Sequence, residues 1–100
     1  MIYHITSQAE WASALETGKY EAQSLHTEGF IHMSSQAQLA GVIDRYYKGK
    51  KGLVLLHIDE AKLHQPIQYD LAPSINEYFP HIYSHINVDA VVKTEVLLPS

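Results

Sequence analysis

The chain has 100 residues and no cysteine, and it carries 7 Lys and Arg against 11 Asp and Glu, a formal net charge of -4. This length suits one domain with one modest core, and the lack of cysteine excludes disulfides and thiolate metal sites. The acidic balance does not favour nucleic-acid binding, no apolar run is long enough to cross a bilayer and the start lacks a basic segment, so we expect a single cytoplasmic domain over residues 1–100.

The first predicted elements are a strand and a helix. Ile2 to Ile5 is an apolar run that predicts a short strand. The sequence from Ser7 to Glu10 has the form of a capping box, in which a serine and a glutamate satisfy each other's backbone amides. It therefore predicts a helix that ends near Thr17, before Gly18.

The middle of the chain predicts a polar, irregular segment at 19–29, with a short extended piece at 20–22. A second strand then follows at Phe30 to Met33. The next helix begins at Ser34 or Ser35 and carries an amphipathic stripe at helical spacing, formed by Leu39, Val42, Ile43, Tyr46 and Tyr47. The nearly all-apolar run Leu53 to Ile58 predicts a central strand that is buried on both faces.

The rest of the chain predicts a helical turn at 59–65, a strand at Ile67 to Leu71, a loop at 72–76 and a final, bent strand at Val88 to Leu98. These elements predict an α+β fold. We expect a small split or curved sheet, mixed or antiparallel, with two main helices.

Seven histidines occur in the chain, and three of them interrupt apolar or aromatic runs: His4, His32 and His81. Burying an imidazole costs free energy unless its nitrogens are hydrogen-bonded. Each one alone is explained by a core histidine that is bonded to a backbone carbonyl. Three of them in such surroundings favour a shared cleft.

Other polar residues are candidates for the same cleft. A helix that begins at Ser34 or Ser35 directs free backbone amides at whatever lies in front, although plain N-capping also explains both serines. His81 and Tyr83 share a face if their segment is extended, or they belong to a surface loop. Asp70 is the only acid in its strand; it either orients a histidine, polarises a ribose hydroxyl or lies in water.

Several other kinds of site are not supported. A zinc site formed by His4, His32, His81 and Asp70 has suitable donors, but the sequence lacks any compact ligand pair, so we predict no metal site. The chain contains no dinucleotide-binding glycine motif, no Walker loop and no nucleophile elbow.

The segments "IYHI", "EGFIHMSS", "IQYD" and "FPHIYS" resemble a family of small, largely bacterial proteins of unknown function that is grouped with the ADP-ribosyltransferase-like folds. The resemblance covers Ile2 to about Val92. It implies a compact split sheet around a cleft. In active relatives, a first-strand histidine holds the adenosine-side ribose of NAD, a later residue stacks on nicotinamide, and a late acid polarises the nicotinamide ribose.

The resemblance places His4 at the first histidine. It also places His32 and Ser34 on a strand similar to one in RNA 2′-phosphotransferases of the same fold. Asp70 stands where the family more often has glutamate, and Gln68 replaces an arginine.

The resemblance and the histidines together suggest an enzyme that binds a nucleotide- or NAD-type ligand, of the ADP-ribosyl- or phosphotransferase class. The expected catalytic residues are His4, His32, Asp70 and His81, and the expected ligand-binding residues are Ser34, Ser35 and Tyr83. The alternatives are a non-catalytic nucleotide- or ADP-ribose-binding module, or a protein-interaction element at Tyr46 and Tyr47. NAD is a candidate cofactor, and the sequence leaves open both catalysis and the oligomeric state.

Overall fold

The computed structural model describes residues 1–97, and within them every pairing between strands is antiparallel. The strands are β1 (Ile2–Ser7), β2 (Lys19–Tyr20), β3 (Ile31–His32), β4 (Leu53–Ile58), β5 (Ile67–Ala72), β6 (Glu77–Ile82), β7 (Ile86–Asn87) and β8 (Val91–Leu97). The helices are α1 (Gln8–Thr17), α2 (Gln23–Thr27) and α3 (Gln36–Val42), and α3 continues as a π-helix, Ile43–Tyr47. Short 3₁₀ turns occupy Glu60–Lys62 and Val88–Ala90. The predicted α+β class with antiparallel strands is confirmed.

Two three-stranded sheets form the frame of the molecule. Their orders are β1-β4-β8 and β3-β6-β5, and β2 pairs with β7 in a separate ribbon. Within the described residues, a single bridge joins the two sheets, since Tyr3 and Ser34 each donate their backbone N–H to the other's carbonyl at 2.8 Å. The sheet is therefore split at this bridge, and it opens a cleft beside β1 and β3.

The central strand β4 is buried on both faces, which explains its unbroken apolar sequence. One face contributes Val54, Leu56 and Ile58 to the main core. The other face contributes Leu53 and Leu55 to a second cluster. The predicted amphipathic stripe covers this second cluster through Leu39, Val42, Ile43 and Tyr47.

The first helix begins and ends where its sequence predicts. The Ser7 hydroxyl oxygen accepts the Glu10 backbone N–H at 3.0 Å. Gly18 adopts φ +80°, a left-handed conformation that glycine takes without steric cost, and its N–H donates to the Ala14 carbonyl at 2.8 Å. None of the described helices is long and apolar enough to span a membrane.

Two sequence predictions for the segment between α1 and α3 need correction. The segment 19–29, predicted as irregular, contains β2 and α2; no residue of α2 is buried, so its sequence lacks the apolar stripe that identifies a helix. The strand predicted from Phe30 to Met33 is regular only at Ile31–His32. Because β3 is this short and has a paired strand on only one side, the His32 side chain is 52% exposed and is not a core histidine.

Proline 80 lies inside β6, the middle strand of its sheet. Its carbonyl accepts the Met33 N–H at 2.9 Å, just beyond the end of β3. The N and O of one strand residue point to the same side, so the N–H that proline lacks would face this open end of β3 rather than β5. The segment from Phe79 to Ile82 is therefore a buried strand and not the surface loop that was its alternative interpretation.

Candidate functional site

One face of the sheet β3-β6-β5 collects the side chains best suited to chemistry. His32 lies directly opposite His81 in the strand register, so both imidazoles point to the same face, with ring centroids 5.0 Å apart. Phe30 precedes His32 by two residues, and its ring stacks on His81 at 4.4 Å with an interplanar angle of 23°. The His81 imidazole therefore stacks on the Phe30 ring and meets the His32 imidazole edge-on.

Asp70 fixes the orientation of His81. Gln68 lies opposite His81 in the register, which puts Asp70 one diagonal step away on the same face. Asp70 Oδ2 lies 2.7 Å from His81 Nδ1. A carboxylate accepts, so Nδ1 carries the proton and Nε2 of the neutral ring holds a lone pair. Within residues 1–97 no side chain or backbone group hydrogen-bonds this Nε2, and His81 lines the cleft.

The Asp70 carboxylate has two further partners. The Tyr83 hydroxyl donates to it at 2.5 Å and Gln68 Nε2 donates at 2.8 Å. The Tyr83 bond is the largest cause of a lowered Asp70 pKa, followed by the opposing effect of burial and then by bonds from His81 and Gln68. The same bond raises the pKa of Tyr83. The carboxylate is thus ionised and occupied by three protein donors.

His4 belongs to the core and reaches the site through its hydrogen bonds. Its Nδ1 donates to the His32 carbonyl at 2.5 Å, and its Nε2 lies 2.8 Å from the Tyr20 hydroxyl. Burial lowers the pKa of His4 from 6.5 to about 4. The ring is therefore neutral, and Nε2 accepts from Tyr20, whose oxygen also lies 2.8 Å from Thr6 Oγ1.

Sequence reasoning did not identify Glu28 and Phe30 as site residues. The Glu28 carboxylate oxygens lie 3.2 and 3.3 Å from His32 Nε2, and both side chains are about half exposed. Glu28 is four residues before His32, but α2 ends at Thr27, so the two residues do not lie on one helix. The spacing alone therefore does not predict this contact. Phe30 was assigned only to the strand, and its position two residues from His32 was the available signal.

The serines and Tyr83 have different positions. Ser34 is buried and lines the cleft, whereas Ser35 and Tyr83 are not among the described residues that line it. Ser35 N-caps α3, since its N–H donates to Gln38 Oε1 at 3.0 Å. Gln38 Nε2 then donates to the Tyr78 carbonyl at 2.8 Å and ties the start of α3 to β6. Asp70 also lies outside the cleft wall, behind His81.

The cleft has a volume of about 790 Å³ and is open to solvent. His4, His32 and His81 all contribute to its wall. Glu10 and Lys50 also line it, and the Lys50 ammonium lies 5.5 Å from the centroid of the Tyr47 ring. In residues 1–97 no group of three or more His, Cys, Asp or Glu side chains is arranged to hold a metal ion.

Comparison with known proteins shows the family and the fold. A family described as "Protein of unknown function (DUF952)" matches residues 5–94. No curated protein matches the chain. A crystal structure of protein CC0527 from Caulobacter crescentus is 30% identical, covers 97% of this chain and 85% of that one, and has a TM-score of 0.87. The crystal structure of a CC0527 double mutant is 28% identical with the same coverage and TM-score. The solution structure of CC0527 is 30% identical, covers 96% and 83% of the two chains, and has a TM-score of 0.81.

Proposed function

This chain belongs to the DUF952 family of proteins of unknown function, and from its cleft we propose that it binds a nucleotide-type ligand and acts on it as an enzyme of the ADP-ribosyl- or phosphotransferase class. The split antiparallel sheet supports an ADP-ribosyltransferase-like fold for the single domain. The first strand of that sheet carries His4, as the resemblance requires.

One observation carries the proposal, namely the state of His81. Asp70 Oδ2 holds its Nδ1–H at 2.7 Å, its Nε2 has no hydrogen-bond partner among the described residues, and His81 lines the cleft. A neutral imidazole oriented by a carboxylate is suited to take a proton from a hydroxyl group or a water molecule, because the carboxylate stabilises the imidazolium that forms.

The cleft also suits a ligand with a ring and an anionic group. Its volume of about 790 Å³ lies within the range of small-molecule sites. Phe30, His32 and Ser34 line it beside His81, and Lys50 supplies a cation. Aromatic faces stack on bases, and a lysine and a serine hydroxyl bind phosphate oxygens. NAD, ADP-ribose and mononucleotides are therefore the candidate ligands.

The proposed roles follow from these contacts. His81 takes a proton at Nε2. His32, which is paired with Glu28, lies beside the His81 ring and either donates a proton or binds the ligand. His4 supports the site through the His32 carbonyl rather than through ligand contact, since both of its nitrogens are engaged. Asp70 and Tyr83 position His81, and Ser35 maintains the start of α3.

A non-catalytic module for the same ligands is the second candidate. The observation that favours it concerns Asp70, which would be the acid that polarises the ribose in an active relative. Its carboxylate is occupied by Gln68, His81 and Tyr83. An acid in this state is not free to polarise a ligand hydroxyl, so binding without turnover fits the same cleft.

A thermal-shift titration tests the binding proposal. NAD, ADP-ribose, AMP and inorganic phosphate are added separately to the wild type, to His32→Ala and to His26→Ala, a matched control because His26 is exposed and is not among the described cleft residues. We expect one of the nucleotides to stabilise the wild type and the control by about 2.7 kcal/mol at a hundred times its dissociation constant. We expect this shift to be lost in His32→Ala. The absence of any shift, or an equal shift in all three proteins, would overturn the proposal.

Incubation of the binding ligand with the protein separates the two candidates. A reaction product that disappears in His81→Asn, while binding persists, identifies the enzyme. Binding without any product identifies the module.

A further inference from the structure

The last described strand, β8, has one open edge. It is the edge strand of the sheet β1-β4-β8, so its outer backbone groups have no paired strand within residues 1–97. Two apolar side chains on this strand are well exposed, Val92 at 45% and Val96 at 63%. Exposed edges with apolar side chains are the usual places where a further strand is added.

The sequence of β8 is self-complementary. Read around Thr94, the strand "VVKTEVL" has a valine two positions away on each side, at Val92 and Val96. One position away it has opposite charges, Lys93 and Glu95. An antiparallel strand centred on the same threonine would therefore meet valine with valine and lysine with glutamate.

The charged pair already lies on one face of the sheet. Lys93 and Glu95 are opposite His57 and Leu55 in the register, so they share a face. The Lys93 ammonium lies 3.6 Å from the Glu95 carboxylate, which also accepts from His57 Nε2 at 2.6 Å. Both side chains remain about half exposed or more, at 65% and 46%. They are therefore available to a neighbouring strand.

We propose that the open edge of β8 is the interface of a homodimer, in which two copies pair β8 with β8 antiparallel about Thr94. In this register, Lys93 lies opposite Glu95 of the partner subunit, and Val92 lies opposite Val96 of the partner subunit. The two-fold symmetry repeats each contact, which is how an isologous interface is built. The result is one continuous six-stranded sheet made from the two β1-β4-β8 sheets.

The edge also has features that discourage unrelated strands. A lysine on an edge strand disfavours pairing with an arbitrary strand. A second copy is the exception, because its glutamate meets the lysine in both halves of the interface. This charge pattern thus favours a second copy of this chain over an arbitrary exposed strand.

Charge reversal and mixing test this interface. Lys93→Glu alone and Glu95→Lys alone place like charges opposite each other in every homodimer pair. Because opposed like charges destabilise a strand pair, we expect each variant to raise the dimer dissociation constant at least about tenfold. An equimolar mixture of the two variants restores opposite charges in both pairs, so we expect heterodimers to form. Sedimentation over a concentration series measures all of these.

Lys48→Glu is the matched control. It makes the same change of charge as Lys93→Glu and also removes an exposed ion pair, the one with Asp44. Lys48 follows the π-helix and is not part of β8. We expect it to dimerise as the wild type does. If a charge variant fails to fold, Val96→Asp tests the same interface, since Val96 is 63% exposed and tolerates a polar side chain in the monomer.

Three outcomes would overturn the proposal. A wild type that is monomeric throughout the series would do so. So would a dimer that persists unchanged in the folded Lys93→Glu, Glu95→Lys or Val96→Asp variants. The third is a mixture of the two charge variants that stays monomeric although the wild type dimerises.

Discussion

Nδ1 of His81 lies 2.7 Å from Oδ2 of Asp70, and this contact decides which imidazole nitrogen is available to the cleft. A carboxylate can only accept, so Nδ1 carries a proton, and in the neutral ring the lone pair lies on Nε2. The strand register puts Asp70 diagonally across from His81, with Gln68 directly opposite. The tautomer is therefore a product of strand pairing and needs no ligand to set it.

Asp70→Asn should release this constraint. An amide can present either an oxygen or an NH₂ group, so both His81 tautomers become accessible. We expect the ¹⁵N chemical shifts of the His81 ring to move from those of a single Nδ1–H tautomer toward a mixture. Gln68→Ala is the control, because Gln68 also bonds to Asp70 but leaves the contact to His81 in place. Unchanged ring shifts in Asp70→Asn would show that Asp70 does not set the tautomer.

Tyr83→Phe should raise the pKa of Asp70. The hydrogen bond from the Tyr83 hydroxyl is the largest cause of the lowered pKa, since it stabilises the charged carboxylate. Its removal should bring the midpoint of the Asp70 carboxyl titration, followed by ¹³C NMR, closer to the ordinary value. The Asp89 carboxyl, whose pKa is lowered mainly by a bond from Asn87, serves as an internal reference and should not move. An Asp70 midpoint that stays in place would contradict the assignment.

Tyr20→Phe should destabilise the fold. The Tyr20 hydroxyl is buried between His4 Nε2 and Thr6 Oγ1, and its removal leaves a buried imidazole nitrogen without a donor. We expect the free energy of unfolding in urea to fall by about 1–3 kcal/mol. Tyr78→Phe removes a hydroxyl from a side chain that is 61% exposed and should change it by less than about 0.5 kcal/mol. Equal effects of the two changes would refute the role of the network.

The stability of the protein should depend on pH through His4. Burial lowers its pKa in the folded state from 6.5 to about 4, so between these values the unfolded chain binds a proton that the folded chain does not. The stabilising contribution is complete above pH 6.5 and is lost as the pH falls toward about 4. A pKa difference of this size corresponds to about 3 kcal/mol.

Urea unfolding at pH 7 and at pH 4.5 measures this dependence. His4→Gln removes the titrating ring, so the variant should lose less stability between the two pH values than the wild type does. The difference between the two proteins isolates His4 from the other groups that titrate in this range. An identical loss in both proteins would assign the dependence to other residues.

Local signals predicted the parts of the fold that depend on local chemistry. The capping box at Ser7 and the glycine at Gly18 define α1 because both act within one helical turn. The apolar run from Leu53 to Ile58 predicts a strand buried on both faces, and β4 has two neighbours and two covered faces. The final strand, predicted over Val88 to Leu98, begins only at Val91 because a 3₁₀ turn occupies Val88–Ala90, and its predicted end at Leu98 lies outside the described residues.

Long-range pairing decides what the sequence did not predict. Proline usually argues against a central strand, and Pro80 is accommodated only because β3 ends where its missing N–H would point. The short β3 leaves His32 half exposed, although its sequence reads as a buried strand. Neither fact can be derived before the partners of β6 are known.

The same limit applies to the candidate site. The sequence selected His4, His32 and His81 as a group, and the structure has all three on the cleft wall. It could not distinguish a histidine whose nitrogens are both engaged, His4, from one with an open nitrogen, His81, because that difference depends on Tyr20 and Asp70. The sequence also did not select Phe30, whose ring stacks on His81.

The bond from His4 to the His32 carbonyl has a consequence for folding. β5 and β6 form a hairpin with a short loop, so Asp70 and His81 are close in the sequence and can come into contact early in folding. His32 receives its support only when β1 has docked against β4 and formed the bridge from Tyr3 to Ser34. A partly opened molecule in which β1 has come away would keep the Asp70–His81 pair and lose the opposing wall. The hydrogen-exchange rate of the β1 amides reports how often β1 comes away, and therefore for what fraction of the time the cleft is complete.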